Sequence, residues 1–158
     1  VFNIINASKL KKYMYLFSFG EKAHPFSASL ISSFPNEEWN IELLKEGAKL
    51  FLGTHDFYQY CTKPAPETNT VREILHCEIV ENTRYTASFF PEKTYSFEIH
   101  SKGFMQHQIR LMMGQLVELG RGHTTLDKIK KSLINPEKKR MQYIAPANGL
   151  ILDEIEFS

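Results

Sequence analysis

The stretch Gly103–Gly120, GFMQHQIRLMMGQLVELG, carries the clearest helical signal in the chain. Its large apolar side chains recur every three or four residues, a spacing that places them on one buried face of an α-helix. These side chains are Met105, Ile109, Met112, Met113 and Leu116. Gly120 follows as a stop signal. We predict a helix over residues 104–119 whose apolar face packs on the rest of the fold.

The sequence around this helix predicts four strands and two more helices. Alternating side chains predict strands over 12–19, 71–80, 94–100 and 149–157, and helical spacing predicts helices over 37–52, capped by Asn36, and 125–134. On the second strand we expect Leu75, Cys77 and Ile79 to point inward. The segments between, including 20–35, 54–69 and a long hairpin loop at 81–93, read as loops.

The order of these elements favours the α+β fold class, with helices packed on one face of a mainly antiparallel sheet. The 158 residues contain no internal repeat and no obvious boundary, so we expect a single domain over residues 1–158.

Composition and charge exclude several classes of protein. No apolar run approaches the roughly 20 residues that span a bilayer, which predicts no membrane partner. Residues 1–7 lack the basic start of a signal peptide, and Cys61 and Cys77 form neither a disulfide framework nor a zinc site. We therefore expect a cytoplasmic protein in a reducing compartment. The histidines show no metal-ligand spacing either, so no metal site is predicted.

Positive charge is concentrated in one segment of a chain whose net charge is only +1. Between Ser101 and Arg140, nine Lys or Arg residues face three acidic ones. This imbalance fits a surface that binds a phosphate backbone, and it equally fits a solvated helix face.

Arg110 lies within the apolar helix, where a guanidinium is costly unless it is paired or reaches water. Its fork of donors matches a carboxylate or a phosphate, although an arginine that extends to the solvent would show the same spacing. Gly114 weakens the helix by about 1 kcal/mol relative to alanine, so we expect another segment to pack closely against it.

Five segments, in chain order, carry a resemblance to a known family. They are Lys12–Tyr15 (KYMY), Leu52–Phe57 (LGTHDF), Thr70–Ile74 (TVREI), Gly103–Gly120 and Ala145–Leu152 (APANGLIL). Together they resemble the C-terminal half of the TruA-type enzymes, the tRNA pseudouridine synthase A family.

This resemblance implies a cofactor-free isomerase that converts uridine to pseudouridine in tRNA, commonly at positions 38 to 40 of the anticodon stem. The target base leaves the stack before it reacts, and a homodimer is implied. By position, Tyr13 matches the active-site tyrosine and Arg110 the arginine that pairs with the catalytic aspartate. The remaining expected contacts with substrate or RNA are His107, Gln108, Leu150, Arg121, Lys128 and Lys131.

The catalytic aspartate of this family is missing from its expected context. The chain contains only Asp56, Asp127 and Asp153, and none lies in an "R-T-D" segment. We expect the chain, which begins at Val1, to be the C-terminal portion of a longer synthase and inactive alone. The alternatives are a non-catalytic RNA-binding domain and a structural domain without an RNA role. In each synthase interpretation, Tyr13 and Arg110 should lie together in a cleft on a concave, basic sheet face opposite the helices.

Overall fold

The computed structural model describes residues 8–157, and these form a six-stranded sheet with three α-helices. Residues 1–7, where the sequence predicts no signal peptide, lie outside the described part. The strands are β1 (Ser8–Gly20), β2 (Ser32–Pro35), β3 (Gly53–Asp56), β4 (Val71–Glu81), β5 (Tyr95–Ser101) and β6 (Leu150–Phe157), and the helices are α1 (Ile41–Lys49), α2 (Gln108–Gly120) and α3 (Leu126–Ile134).

The long strand β1 organises the sheet. Its one edge pairs with β5, while the other edge pairs with β6 along its first half and with β2 along its second half. Strands β4 and β3 continue the sheet beyond β5. Only the β1–β2 pairing is parallel among the described pairs, which confirms a mainly antiparallel α+β fold.

One face of the sheet packs on the helices. Tyr15 and Phe17 of β1 join the buried side of α2 in a single apolar cluster that also includes residues of α1 and α3. All five apolar residues of the predicted helical stripe are buried, as the spacing requires. Helices and sheet therefore enclose one main core.

The other face of β1 is covered by a loop. Met14, Leu16 and Ile31 form a second buried cluster, against which Phe90 and Ile151 pack. Phe90 belongs to the predicted hairpin loop 81–93, so that loop covers the sheet face opposite the helices.

Several predicted boundaries were wrong. The loops predicted at 20–35 and 54–69 contain β2 and β3, four-residue strands that owe their extended form to pairing with longer neighbours. Helix α1 begins at Ile41, because the side chain of Asn40, not that of Asn36, accepts hydrogen bonds from the first-turn N–H groups. On β4 an irregularity in the register leaves Leu75 46% exposed and buries Ile74 instead.

No helix within residues 8–157 is long and apolar enough to cross a membrane. Cys61 and Cys77 are buried free thiols. Burial raises the pKa of the Cys77 thiol, so this cysteine remains protonated and unreactive.

Candidate functional site

A pocket of about 180 Å³ opens beside the N-terminal end of α2. Its walls come from β1, from the turn that precedes α2, from the first turn of α2 and from the start of β6. The lining residues are Tyr13, Phe104, Met105, His107, Gln108, Ile109, Arg110 and Leu150. The structure thus brings five of the eight predicted site residues together: Tyr13, His107, Gln108, Arg110 and Leu150.

The position of this pocket differs from the expectation. Tyr13 lies on the helix-facing side of β1, where its ring meets Phe104 edge to face with 5.4 Å between ring centroids. The opposite sheet face carries acidic side chains. Two of them, Glu154 and Glu156, pair there with Lys12. The prediction of a basic site on the face opposite the helices was therefore wrong.

Arg110 is half-buried and makes no ion pair with any residue of the described range. Its Nε donates a hydrogen bond to the carbonyl oxygen of Ala145 at 2.8 Å, and the Ala145 N–H returns one to the Arg110 carbonyl oxygen at 3.1 Å. These bonds fix the start of the guanidinium but supply no negative charge. The remaining donors of Arg110 are available to an anion in the pocket.

The segment that holds Arg110 is itself fixed by two close backbone approaches. A Cβ atom at Gly114 would overlap the carbonyl oxygen of Tyr143, which is the close packing that the sequence predicted. A Cβ atom at Gly149 would overlap the carbonyl oxygen of Leu16. The chain from Tyr143 to Leu150 therefore lies against both α2 and β1, and it sets the distance between Arg110 and the tyrosine strand.

A buried hydrogen-bond network anchors the same segment. The Tyr15 hydroxyl donates to the carbonyl oxygen of Pro146 at 2.6 Å and lies 2.7 Å from Ser32 Oγ. Ser32 Oγ in turn donates to Asn148 Oδ1 at 2.7 Å. Burial raises the pKa of Tyr15, and its hydrogen bond with Ser32 and the charge of Arg110 offset this only in part. Tyr15 therefore acts as a neutral donor, a role that its place among alternating aromatic residues did not reveal.

The turn before α2 is conformationally strained at His107. This residue adopts the left-handed backbone region, with φ at 60°, which costs free energy for any residue but glycine. Its Nδ1 atom lies 3.0 Å from Thr62 Oγ1, and the Thr62 N–H binds the Gln106 carbonyl oxygen. Helix α2 consequently starts at Gln108 and not at Phe104 as predicted, and the imidazole lies at the rim of the pocket.

Gln108 closes this turn. Its buried side-chain Oε1 accepts a hydrogen bond from the Met105 N–H at 2.9 Å, while its Nε2 faces Met112 Sδ. Gln108 thereby fixes the wall of the pocket that Met105 forms.

None of the residues that line the pocket is acidic. Asp56 accepts hydrogen bonds from the Tyr58 N–H and the Thr70 hydroxyl. These two bonds stabilise the turn that follows β3. Asp127 pairs with Lys131 at 2.9 Å, and Asp153 pairs with Arg84 at 2.8 Å. Each aspartate has a structural partner elsewhere, and no carboxylate of residues 8–157 forms an ion pair with Arg110.

The other three predicted RNA-binding residues lie away from this pocket. Arg121, just after α2, binds both carboxylate oxygens of Glu37 and lies over the ring of Tyr143. Lys128 and Lys131 line a different pocket beside α3.

Cross-strand pairing produces one cluster that the sequence did not indicate. The cluster consists of His76 and Glu78 of β4 and Glu98 of β5. Each offers one atom that could bind a metal ion, and these three atoms lie within 4.8 Å of one another. His76 Nε2 lies 3.2 Å from Glu78 and 3.9 Å from Glu98. Residues from two strands meet here, which is why spacing along the chain gave no metal signal.

Comparisons with known proteins show the family to which the chain is similar. The family model described as tRNA pseudouridine synthase matches residues 48–158. A protein of Bacillus thuringiensis subsp. konkukian (strain 97-27), named tRNA pseudouridine synthase A 2, is 27% identical over 150 residues, which cover 95% of this chain and 57% of the relative. A Staphylococcus aureus (strain MRSA252) protein named tRNA pseudouridine synthase A is 26% identical over 145 residues, covering 92% and 51%. The chain thus spans about half the length of the curated relatives it matches.

Proposed function

The chain belongs to the tRNA pseudouridine synthase family, and on this premise we propose that it supplies the tyrosine and arginine side of a uridine-isomerising active site. The observation that carries the proposal is the state of Arg110. A half-buried guanidinium without a counter-charge, held by one carbonyl oxygen at the wall of a pocket, is arranged to receive an anion.

The proposed reaction needs no cofactor because it rearranges one nucleoside. The bond between N1 of the uracil and C1′ of the ribose breaks, and a bond between C5 and C1′ forms. The proton on C5 is lost and N1 gains one, so uridine and pseudouridine have the same composition. In this proposal the ring of Tyr13 packs against the base, and its hydroxyl makes no hydrogen bond with residues 8–157. The Tyr13 oxygen takes up the C5 proton while its own proton passes on to N1, so the tyrosine ends the reaction unchanged.

The catalytic carboxylate, in this proposal, comes from polypeptide outside the 158 residues. Arg110 binds that carboxylate and keeps it ionised, since a guanidinium a few ångströms away favours the charged form. The three aspartates of the chain already have other partners. By itself the chain therefore contains half of the required groups and should not form pseudouridine.

We extend the proposal to the finer features of the function, which the resemblance to this family supports. The substrate is a uridine in the anticodon stem of tRNA, and its base flips out of the stack to enter the pocket. His107 and Gln108 shape the entrance, Leu150 contributes an apolar wall, and the basic residues Arg121, Lys128 and Lys131 contribute to RNA binding. The enzyme works in the cytoplasm as a homodimer.

The direct test measures pseudouridine formation on unmodified tRNA. We expect activity from the product of the full reading frame and none from the 158-residue chain. In the active protein, Arg110→Lys should lower kcat/KM about a hundredfold or more, because lysine cannot reproduce the two-pronged contact. The matched variant Arg84→Lys, whose side chain pairs with Asp153 away from the pocket, should retain activity. Full activity of the Arg110→Lys enzyme would refute the assigned role.

A non-catalytic RNA-binding domain is the second candidate, favoured by the absence of an acidic residue from the pocket. It predicts that neither protein forms pseudouridine while both bind tRNA with an affinity that falls steeply with salt concentration. A structural domain without an RNA role would show no such salt-dependent binding.

A further inference from the structure

A groove distinct from the Tyr13–Arg110 pocket runs along α3 and the C-terminal half of α2. Two adjoining cavities of about 390 and 210 Å³ share five lining residues and therefore form one depression. The shared residues are Gln59, Gln115, Thr124, Lys139 and Met141. We call it the Gln115 groove, and none of its lining residues belongs to the pocket described above.

Gln59 gives the groove a fixed outer wall. Its carbonyl oxygen accepts a hydrogen bond from the Met141 N–H at 2.8 Å, and its side-chain Oε1 accepts one from the Glu137 N–H at 3.0 Å. The segment from Glu137 to Met141 is thus tied to the body of the fold. The NH₂ group of Gln59 has no partner among residues 8–157, and its side chain is only 4% exposed.

Gln115 is the feature that points to a ligand. Its side chain lines both cavities and makes no hydrogen bond to any described residue. The residue is only 8% exposed. The amide opens onto the groove, so its donor and acceptor groups are accessible to a molecule bound there. By contrast, Gln108 on the same helix, which is only 1% exposed, is hydrogen-bonded within the protein. The free amide of Gln115 offers both a donor and an acceptor to a molecule in the groove.

The positive charge beside this amide is partly uncompensated. Lys131 pairs with Asp127, and Lys139 pairs with Glu137, each at 2.9 Å. Lys128, which lines the larger cavity, makes no ion pair within residues 8–157. Arg140, which lines the smaller cavity, likewise makes no ion pair within residues 8–157. The groove thereby combines these two unpaired cations with the free amide of Gln115, and the side chain of Met141 adds an apolar contact.

We propose that the Gln115 groove binds one nucleotide of an RNA strand, with Lys128 at the phosphate and Gln115 at the edge of the base. The size of the larger cavity suits a ligand of this kind. A base edge presents adjacent donors and acceptors that an amide can match, as in other protein contacts with single-stranded RNA. The choice of RNA rests on the proposed function. The site would hold tRNA at a point remote from the reacting uridine.

The test is an NMR titration of the chain, labelled with ¹⁵N, that follows the side-chain NH₂ signals of its glutamines. Three probes are compared at the same concentration: a pentaribonucleotide, uridine monophosphate and inorganic phosphate. We expect the pentaribonucleotide to shift the Gln115 and Gln59 signals, with the other two probes far weaker. Gln115→Leu, which keeps the size of the side chain, should weaken binding about fivefold to tenfold, the effect of one lost hydrogen bond.

Two lysine variants provide the matched control. Lys128→Gln should weaken binding at least as much as Gln115→Leu does, whereas Lys130→Gln, the same charge change on the same helix outside the groove, should have less than a twofold effect. Equal effects of the two lysine variants, or unshifted Gln115 signals, would overturn the proposal. If uridine monophosphate binds as strongly as the pentaribonucleotide, the groove is a site for a free nucleotide and the proposal of an RNA strand is wrong. If inorganic phosphate binds as strongly, the groove is an anion site and the proposal is likewise wrong. Because every readout is binding, failure of the longer protein to form pseudouridine would leave this test intact.

Discussion

Helix α2 carries an arginine at each end, and the two lie in opposite situations. Arg121 follows the last turn, where Glu37 neutralises it through two hydrogen bonds and the ring of Tyr143 packs against it. Arg110 lies in the first turn, where its side chain has the carbonyl oxygen of Ala145 as its one hydrogen-bond partner among residues 8–157. Both arginines thus touch the same short segment, but within residues 8–157 only Arg121 has a carboxylate partner.

This difference separates a charge that stabilises the fold from a charge that, in the proposed function, binds a carboxylate outside this chain. Glu37 raises the pKa of Arg121 and Arg121 lowers that of Glu37, as expected for a pair that stabilises the folded chain. Arg110 has no carboxylate partner within residues 8–157. In the proposed function, a group from outside the chain completes its site.

The largest effect should come from dislodging the segment that both arginines share. Gly114→Ala would push a methyl group into the carbonyl oxygen of Tyr143, and we expect a loss of about 3 kcal/mol in the free energy of unfolding. Urea unfolding measures this. Gly103→Ala is the control, because a Cβ atom there meets nothing within 4 Å, and its effect should stay under about 0.5 kcal/mol. Similar losses in both variants would show that the segment is not packed as described.

A smaller effect should follow from cutting the network that anchors this segment on the Arg110 side. Tyr15→Phe removes the hydroxyl that joins Ser32 and the Pro146 carbonyl oxygen, which should cost about 1.5 kcal/mol. Thermal unfolding measures the loss. Tyr58→Phe is a suitable reference, because no hydrogen bond of its hydroxyl to residues 8–157 would be lost. Equal stability of the Tyr15→Phe variant and the parent chain would contradict the network.

The Arg121 side can be tested by neutralising its partner. Glu37→Gln should cost about 1 kcal/mol, since a two-pronged ion pair whose side chains are only 25% and 28% exposed is worth more than a typical surface pair. Glu38→Gln changes a neighbouring acidic residue that has no ion pair among residues 8–157, and it should be nearly neutral. A larger loss of stability in Glu38→Gln than in Glu37→Gln would show that Glu37 does not stabilise the fold through Arg121.

The same pair should leave a mark on the pH dependence of stability. Arg121 lowers the pKa of Glu37 below its ordinary value of 4.5, so the folded state favours the ionised form. The resulting stabilisation is complete above the unfolded pKa and is lost as the pH falls from about 4.5 through the lower folded pKa. Urea unfolding between pH 7 and 3 should show a smaller decline for Glu37→Gln than for the parent chain. Parallel curves would exclude this linkage.

Much of this architecture could be predicted from the sequence, because in long segments the spacing of apolar residues indicates which face is buried. The stripe of α2, the alternation of β1 and the place of α3 are of this kind. Strands β2 and β3 were missed since four residues carry too little pattern and depend on their neighbours. The start of α2 was misplaced because the left-handed turn at His107 is held by Thr62, a residue distant in sequence.

In the candidate site, too, some features could be predicted from the sequence, whereas others depend on contacts between distant segments. Tyr13 and Arg110 could be named from their resemblance to a family, yet the sheet face they occupy depends on how α2 packs on β1. The free amide of Gln115 and the pairing of Arg121 with Glu37 arise from contacts between segments far apart in the chain. Such contacts leave no local trace in spacing or composition.

The most direct test of the difference between the two arginines compares Arg110→Met with Arg121→Met by urea unfolding at pH 7. Methionine preserves length and removes charge in both variants. We predict that Arg121→Met lowers the free energy of unfolding by about 1.5 kcal/mol, whereas Arg110→Met changes it by less than about 0.5 kcal/mol because the lost hydrogen bond is offset by removal of an uncompensated charge. An equal or larger loss in Arg110→Met would show that Arg110 serves the fold of this chain and is not held for a partner outside it.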